Sequence, residues 1–299
     1  MNNYPNAITM PNSTNLNAIT FNNYYARLEL IARAVFEWKG LPNGIDERHI
    51  ERYLFHYGKC VFFEDFEKGW MIAPYTDNGG LNFYDEPTRV IPVDQNGQLS
   101  SYNPEFMNGQ NCVLIWNNDN AIPTHYPVIQ AANDLAEIKR TIDLNIQAQK
   151  TPVVIACTEK QRLSMMNAYK QYKGNAPLIV VDKSMEGLDL IKVLKTDAPI
   201  VFDKLWLQWK NTWNDAMTNL GVNNANQDKK ERLVADEVAA NDEQVARSAW
   251  VMLKPRQAAA KRMSELSGRE ITCEVRSCYK ALESLVDGDI ITGEEGQEE

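Results

Sequence analysis

Two lysines that could bind a polyanion stand on either side of residue 200. Lys195 lies in the loop-like run Lys195-Thr196-Asp197-Ala198-Pro199, and Lys204 lies in a helical pattern that begins at Val201. A long polar segment follows, with central residues Asn226, Gln227, Asp228, Lys229, Lys230, Glu231 and Arg232. A compact domain seldom contains about twenty polar residues in succession unless they are functional or disordered. The stretch indicates a surface for a large polar partner rather than a pocket for a small molecule.

A plainer interpretation of these charges is also open. A lysine in a loop or on a polar helix face is ordinarily a solvated charge, and Lys195 and Lys204 both fit that description. The run Asp228–Arg232 interleaves acidic and basic side chains, which is more typical of a soluble loop than of a phosphate-binding patch. The spacing of these residues therefore does not decide between a binding surface and ordinary solvated charges.

The sequence contains no motif that predicts catalysis. It has no phosphate-binding loop, no dinucleotide fingerprint and no Gly-x-Ser-x-Gly elbow. His49 and His56 are seven residues apart rather than four, and His125 is remote from both. Cys273 and Cys278 lack a second Cys or His pair. We predict no catalytic residue, no metal site and no cofactor, so the chain is not expected to be an enzyme.

The amino-acid composition and net charge further restrict the class of protein. The 299 residues are 44% hydrophobic, enough to bury a core, and carry a net charge of −9. An acidic chain does not coat nucleic acid, although it could let nucleic acid slide past without sticking. The five scattered cysteines predict reduced thiols in a cytoplasmic protein. No apolar run is long enough to span a membrane.

Hydrophobic periodicity divides the first part of the chain into three segments. Residues 1–21 are expected to form a flexible arm. Residues 22–59 are expected to form two helices, Asn22–Lys39 and Asp46–Tyr57, the second with Asp46 as N-cap and Gly58 as its stop. Residues 60–118 contain short apolar runs separated by turn residues, which predict a small antiparallel sheet or barrel. These runs are Cys60–Phe63, Trp70–Ala73, Arg89–Ile91 and Cys112–Trp116.

The rest of the chain alternates between helical and strand patterns, within segments 119–222, 223–243 (the polar segment) and 244–282. The predicted helices are Pro127–Gln149, Glu159–Tyr172, Met185–Leu194, Val201–Leu220 and Arg256–Leu266. The predicted strands are Val153–Ile155, Leu178–Val181, Trp250–Leu253 and Ile271–Val275. Residues 283–299 are acidic and are expected to be a disordered tail.

The helix Val201–Leu220 has two different faces when its residues are projected at 100° each. One side is apolar and mostly aromatic: Phe202, Trp206, Trp209, Trp213, Met217 and Leu220. The opposite side is a polar stripe about 60° wide: Lys204, Gln208, Asn211 and Asp215. The projection places Lys204 away from the face that packs.

Several blocks of the sequence resemble the head–tail connector (upper collar, or portal) proteins of the small podoviruses of the Bacillus picovirus group. The blocks are Asn117–Asp119 with Pro123-Thr124, Ala148–Pro152, Gly174–Pro177, Lys195–Pro199 with Asp203–Leu205, Asn224–Asn226 with Lys229–Arg232, Asp236–Val238 and Asn241–Gln244. No single block is specific, but they occur in order over about 117–245, with a looser fit from Phe36 onward.

The resemblance implies an α+β, mainly helical portal fold that assembles as a dodecameric ring around double-stranded DNA. The predicted helices Asn22–Lys39, Pro127–Gln149 and Val201–Leu220 would form the channel wall. Residues 60–118 would be an SH3-like or clip-type region, and the α/β parts of 119–222 and 244–282 the wing and crown. The family's two channel lysine rings match Lys195 and Lys204, and its channel loop matches 223–243.

The resemblance also implies partners and a location. The expected partners are capsid and scaffolding proteins, lower collar and tail proteins, and a separate packaging ATPase, at the portal vertex of the virion and in the host cytoplasm during assembly. Residues 1–26 contain no Lys or Arg, unlike the basic arm of members that bind a packaging RNA, so RNA binding is not claimed. The alternative is a structural collar or tail adaptor with no direct role in DNA translocation.

Overall fold

The chain folds into long helices and small open sheets. The computed structural model describes residues 13–93, 106–149, 153–157, 160, 178–182, 191–193, 199–223 and 235–277. The helices are α1 (Ser13–Arg33), α2 (Glu47–Tyr57), α3 (His125–Ala148), α4 (Phe202–Asn219) and α5 (Ala235–Ser267). The strands are β1 (Phe36–Lys39), β2 (Lys59–Asp65), β3 (Gly69–Ala73), β4 (Tyr75–Asp77), β5 (Arg89–Pro92), β6 (Phe106–Met107), β7 (Cys112–Trp116), β8 (Val153–Cys157), β9 (Leu178–Asp182), β10 (Ile191–Val193) and β11 (Thr272–Val275). The predicted α+β, mainly helical class is confirmed.

Two compact units make up the chain. Residues 1–24 and 132–213 form one, called the helical unit below, and residues 25–131 and 214–299 form the other, the β-rich unit. The boundaries fall inside helices α1, α3 and α4.

The β-rich unit contains the antiparallel strands that the apolar runs predicted. In one sheet β2 pairs with both β3 and β7, and in a second β5 pairs with β4 and β6. Val61 and Phe63 of β2 are buried in a cluster with Val90, Phe106 and Leu114. Alternate residues of these strands share a face, so each sheet contributes one side chain in two to this core.

Helix α2 has the ends that the sequence predicts. The Asp46 side chain accepts a hydrogen bond from the backbone N–H of Arg48, as an N-cap does. Gly58 follows with φ of +72°, and its N–H bonds to the carbonyl of Leu54. A Cβ at Gly58 would lie 2.0 Å from the carbonyl oxygen of Ala121, so glycine is required there for close backbone approach as well as for the turn.

The predicted helix Asn22–Lys39 is wrong at both ends. The helix begins at Ser13, within the segment expected to be a flexible arm, and ends at Arg33. Phe36–Lys39 is a strand instead, because it pairs antiparallel with β11, from Phe36 with Val275 to Lys39 with Thr272. A partner more than 200 residues away decides this local structure, and no periodicity within the segment could reveal it.

The helical unit contains a three-stranded sheet. The predicted strands at 153 and 178 are present, and β8 and β9 pair in parallel. The predicted helix Met185–Leu194 is wrong at its C-terminal end, because Ile191–Val193 is a strand that pairs antiparallel with β8. The predicted helix Glu159–Tyr172 lies outside the described residues, except for the helical residue Lys160.

One long helix replaces several predicted elements near the C-terminus. Helix α5 runs from Ala235 to Ser267, so the last nine residues of the predicted loop 223–243 are helical and the predicted strand Trp250–Leu253 does not exist. Pro255 lies inside this helix and removes one backbone donor. Next to this proline, the Arg256 guanidinium donates a hydrogen bond to the carbonyl of Met252, one helical turn earlier, at 2.8 Å. The predicted strand at 271 is confirmed as β11.

Three of the five cysteines have side chains among the described residues, and all three are buried. Cys60, Cys112 and Cys273 are free and buried. Burial raises the pKa of the Cys112 thiol to about 12 and raises the pKa values of the other two thiols as well. These side chains pack as small apolar groups and are unreactive as thiols. In the described part of the chain, no helix is long and apolar enough to cross a bilayer.

Candidate nucleic-acid interface

The start of helix α4, which carries Lys204, is fixed by a side chain of α3. Asn145 donates from Nδ2 to the carbonyl of Pro199 at 2.9 Å, and its Oδ1 accepts from the N–H of Val201 at 3.2 Å. An amide that satisfies one donor and one acceptor ahead of a helix acts as a cap supplied from another element. The position of Lys204 along the helical unit therefore depends on Asn145.

The polar stripe of α4 is exposed, as the projection predicts. Lys204, Gln208, Asn211 and Asp215 are all exposed to solvent. Within the described part of the chain, the ammonium of Lys204 has no hydrogen bond or ion pair. An unpaired, solvated ammonium is free to contact a phosphate at the cost of little more than side-chain entropy.

The opposite face of α4 is held by a stack of tryptophans. The rings of Trp206 and Trp209 are parallel within 3° at 4.9 Å, and those of Trp209 and Trp213 within 13° at 5.7 Å. Trp209 donates from its indole N–H to the hydroxyl of Tyr24 on α1 at 3.1 Å. This bond sets the rotation of the helix, since it directs the tryptophan face towards α1 and Lys204 to the other side.

The packing of that aromatic face is incomplete within one chain. Met217 and Leu220 are buried, but Phe202 is 42% exposed and Trp206 is 47% exposed. The prediction of an apolar packing face is confirmed for its C-terminal half. The N-terminal half of this face is exposed to solvent.

Helix α4 ends in a glycine motif that fixes the start of the polar segment. Gly221 has φ of +72°, its N–H bonds to the Thr218 carbonyl, and the N–H of Val222 bonds back to the Met217 carbonyl. These two bonds, with the buried contact residues Met217 and Val222, form a Schellman motif. The backbone of Gly221 also lies against Ala249 of α5.

The two helices that flank the polar segment have defined ends. Helix α4 ends beside Ala249 of α5, and α5 begins at Ala235, fourteen residues before Ala249. At 1.5 Å per residue, these points are about 21 Å apart along the helix. The seven predicted loop residues, Asn226 to Arg232, lie outside the described residues, as does Lys195.

A buried ion pair holds α5 in the β-rich unit. The Arg256 guanidinium donates to both carboxylate oxygens of Glu51, at 3.0 and 2.8 Å. Its remaining N–H groups reach the carbonyl and side-chain oxygens of Asn117 and the Met252 carbonyl. All five guanidinium donors are thus satisfied, and Trp38 donates its indole N–H to the same carboxylate.

Sequence reasoning missed this cluster, although one signal was present. Glu51 lies on the apolar face of α2 beside Ile50, Leu54 and Phe55, all buried. A carboxylate within an apolar face requires a partner, because an unpaired buried charge is costly. Nothing around Arg256 identified it as that partner.

A second cluster of side chains, which the sequence did not predict, contains two histidines. The rings of His56 and His125 are 5.6 Å apart, although the residues are far apart in the chain. His56 lies 3.4 Å from the Glu29 carboxylate, and His125 is hydrogen-bonded to the hydroxyl of Tyr25 at 2.9 Å. Burial lowers the pKa of His56, with His125 and Arg33 acting in the same direction and Glu29 opposing them. Among the described residues, no group of three side chains is arranged to hold a metal ion.

The chain belongs to the phage connector family: residues 6–279 match the family Phage Connector (GP10). The resemblance to head–tail connectors is thereby confirmed.

Among solved structures, the chain is similar to one from "Portal and tail of native bacteriophage P68". The two are 14% identical, with 94% of this chain and 96% of that chain covered and a TM-score of 0.49.

Proposed function

We propose that this connector is a portal subunit, and that copies of the chain form a dodecameric ring through which double-stranded DNA is packaged into and ejected from a phage capsid. Membership of the connector family supports a role at the head–tail junction. The observation that carries the DNA role is the two-faced helix α4. Its unpaired Lys204 lies on one side, and its half-exposed aromatic residues lie on the other.

In this proposal the polar stripe of α4 faces the lumen of the ring. Twelve copies of a chain with net charge −9 make a strongly anionic assembly, which discourages DNA from adhering. Rings of Lys204 and Lys195 within that field provide weak contacts to phosphates, independent of base sequence. Such contacts are screened beyond about 8–10 Å at physiological salt. DNA is therefore guided without being bound tightly.

The part of the polar segment that precedes α5, residues 224–234, acts as the retaining part. Its two anchors are rigid, since the Schellman motif fixes one end and helix α5 the other. A polar loop between such anchors can obstruct backward slippage of DNA by steric contact. ATP hydrolysis is assigned to a separate packaging ATPase, and the chain itself is not an enzyme in this proposal.

The remaining partners follow from the position of a connector. Capsid and scaffolding proteins would contact one end of the ring, and lower collar and tail proteins the other. The protein would reside at the portal vertex of the virion, after assembly in the host cytoplasm. Packaging RNA is not included, because residues 1–26 lack basic side chains.

Two experiments test this proposal: the first measures ring formation and the second measures DNA retention. Native mass spectrometry of the purified protein should give one species of twelve copies, and electron microscopy should show a channel wide enough for duplex DNA. Deletion of Gln227–Val234, which stops short of α5, should leave the ring intact but let packaged DNA leak from filled heads. A ring without an open channel would favour the tail-adaptor alternative, and full retention after the deletion would exclude the valve role.

A further inference from the structure

Helix α4 carries an aromatic pair that the rest of its own chain leaves open. Phe202 and Trp206 lie one turn apart on the same face, and each exposes more than two fifths of its surface. One side of the Trp206 ring is stacked on Trp209. Its indole N–H donates to no other described residue. Exposed tryptophan with an unused donor is the side chain most enriched at the energetic centres of protein interfaces.

A cavity of matching chemistry lies elsewhere in the helical unit, between α1 and α3. It has a volume of about 540 Å³ and is lined in part by Ala18, Phe21, Ala136 and Leu144, which are apolar. Glu137 and Arg140 also line it. This size lies within the range of sites that enclose a drug-sized molecule, and is therefore large enough for aromatic side chains.

The polar groups of the cavity complement the aromatic pair. The carboxylate of Glu137 has no partner among the described residues, so it is free to accept a hydrogen bond from an indole N–H. Arg140 is held in place by Asn17 and Asp143, through bonds of 2.9 and 3.0 Å. A fixed guanidinium at the cavity edge can lie over the face of a tryptophan ring. The indole N–H of Trp206 thus has a possible acceptor in Glu137, and its ring has a possible cationic partner in Arg140.

We propose that Phe202 and Trp206 of one copy enter the α1–α3 cavity of the neighbouring copy, so that each chain contributes both an aromatic projection and a receptor for one. This inference rests on the proposed function, because it identifies the contact that closes the ring. A ring of more than two copies needs two different, complementary surfaces on every chain. Lys204, on the opposite side of α4, stays outside this contact.

Two variants test the two sides of the contact one at a time. Trp206→Ala removes the projection, and Ala18→Trp fills the cavity from an exposed position on α1. Each variant alone should lose the ring and remain monomeric in native mass spectrometry, since a lost tryptophan anchor weakens such a contact by about 30-fold or more. Leu207→Ala, an exposed apolar residue on another side of α4, and Ala258→Trp, at an exposed site on α5, serve as controls and should form complete rings.

Mixing the two variants gives the decisive result. An equimolar mixture should form heterodimers and nothing larger, because only the projection of Ala18→Trp and the cavity of Trp206→Ala can still combine. Unchanged circular dichroism and melting temperature would show that both variants are folded. Rings from either variant, or a mixture that stays monomeric, would overturn the proposal. Rings from Ala18→Trp alone would point to another occupant of the cavity, such as the chain's own residues 1–12.

The outcome for the wild-type protein distinguishes this inference from the function on which it rests. If the wild type forms no ring, the proposed portal function fails. If the wild type and both variants all form rings, the portal function stands and only the assigned contact is wrong.

Discussion

Gly221 lies against Ala249 so closely that a Cβ on the glycine would come within 2.7 Å of both the Cα and the Cβ of the alanine. This approach joins the end of α4 to the middle of α5. It also defines where the polar segment leaves the fold. The geometry of the proposed DNA-retaining loop therefore depends on a glycine that no other residue can replace without displacement of α5.

Replacing Gly221 with alanine should destabilise the protein by about 3 kcal/mol, as the sum of left-handed backbone strain and a clash with backbone atoms of α5. Chemical denaturation would measure the loss. Gly268→Ala is the matched control, because Gly268 has φ of +67° after α5 but no atom within 4 Å of its Cβ position. It should cost about 1 kcal/mol. Equal losses for the two variants would contradict the close contact.

Replacing Arg256 with methionine should cost about 3–5 kcal/mol of folding free energy, because the Glu51 carboxylate would be left buried and unpaired. Both side chains are at least 97% buried, so solvent cannot compensate. Lys254 lies on the same helix as Arg256, and Lys254→Met, which breaks an exposed pair with Asp119, should cost less than about 1 kcal/mol. The double variant Arg256→Met with Glu51→Leu should recover much of the loss. A single variant as stable as the wild type would show that the buried pair does not hold α5.

His56 should make stability depend on pH below neutrality. The pKa of His56 is lowered in the fold from its ordinary value of 6.5, chiefly by burial. The unfolded chain therefore takes up the proton first, so stability is complete above pH 6.5 and falls as the pH drops below it. His56→Gln should flatten this dependence between about pH 6.5 and 5, a range in which few carboxylates titrate. His49→Gln, an exposed imidazole of the same helix, should keep the wild-type slope. Identical slopes for all three proteins would exclude His56 as the cause.

Replacing Lys204 with alanine should increase the loss of DNA from filled heads, most strongly at low salt. In the proposed channel this variant lacks one cationic ring, so the salt dependence of retention should become shallower because fewer counterions are displaced. Lys204→Arg should retain DNA as the wild type does. Lys261→Ala, which removes an exposed charge from α5, is the control. Retention by Lys204→Ala that equals the wild type at every salt concentration would remove Lys204 from the mechanism.

Locally encoded elements were predictable from the sequence. Helix α2 was predicted with both caps, because Asp46 and Gly58 bond within one turn of the helix ends. The orientation of α4 followed from a 3.6-residue period, since aromatic and polar side chains separate around its axis. The exposure of Lys204 was therefore a prediction that the structure confirms.

Elements decided by distant partners were not predictable in the same way. The strand at Phe36 exists because β11 pairs with it, and the strand at Ile191 because β8 does. The prediction divided helix α5 into the end of a polar segment, the strand Trp250–Leu253 and the helix Arg256–Leu266. Contacts such as the Arg256–Glu51 pair stabilise it in the fold, and a single sequence does not show them.

Contact cross-linking shows whether Lys204 faces packaged DNA. A photo-activated cross-linking amino acid would replace Lys204 in connectors assembled into DNA-filled heads, with the same amino acid at Lys261 as the control. If Lys204 lines the channel, DNA adducts should form at position 204, few should form at position 261, and none should form at either position in empty heads. Equal adduct yields at both positions, or none at 204 in filled heads, would contradict a channel position for Lys204.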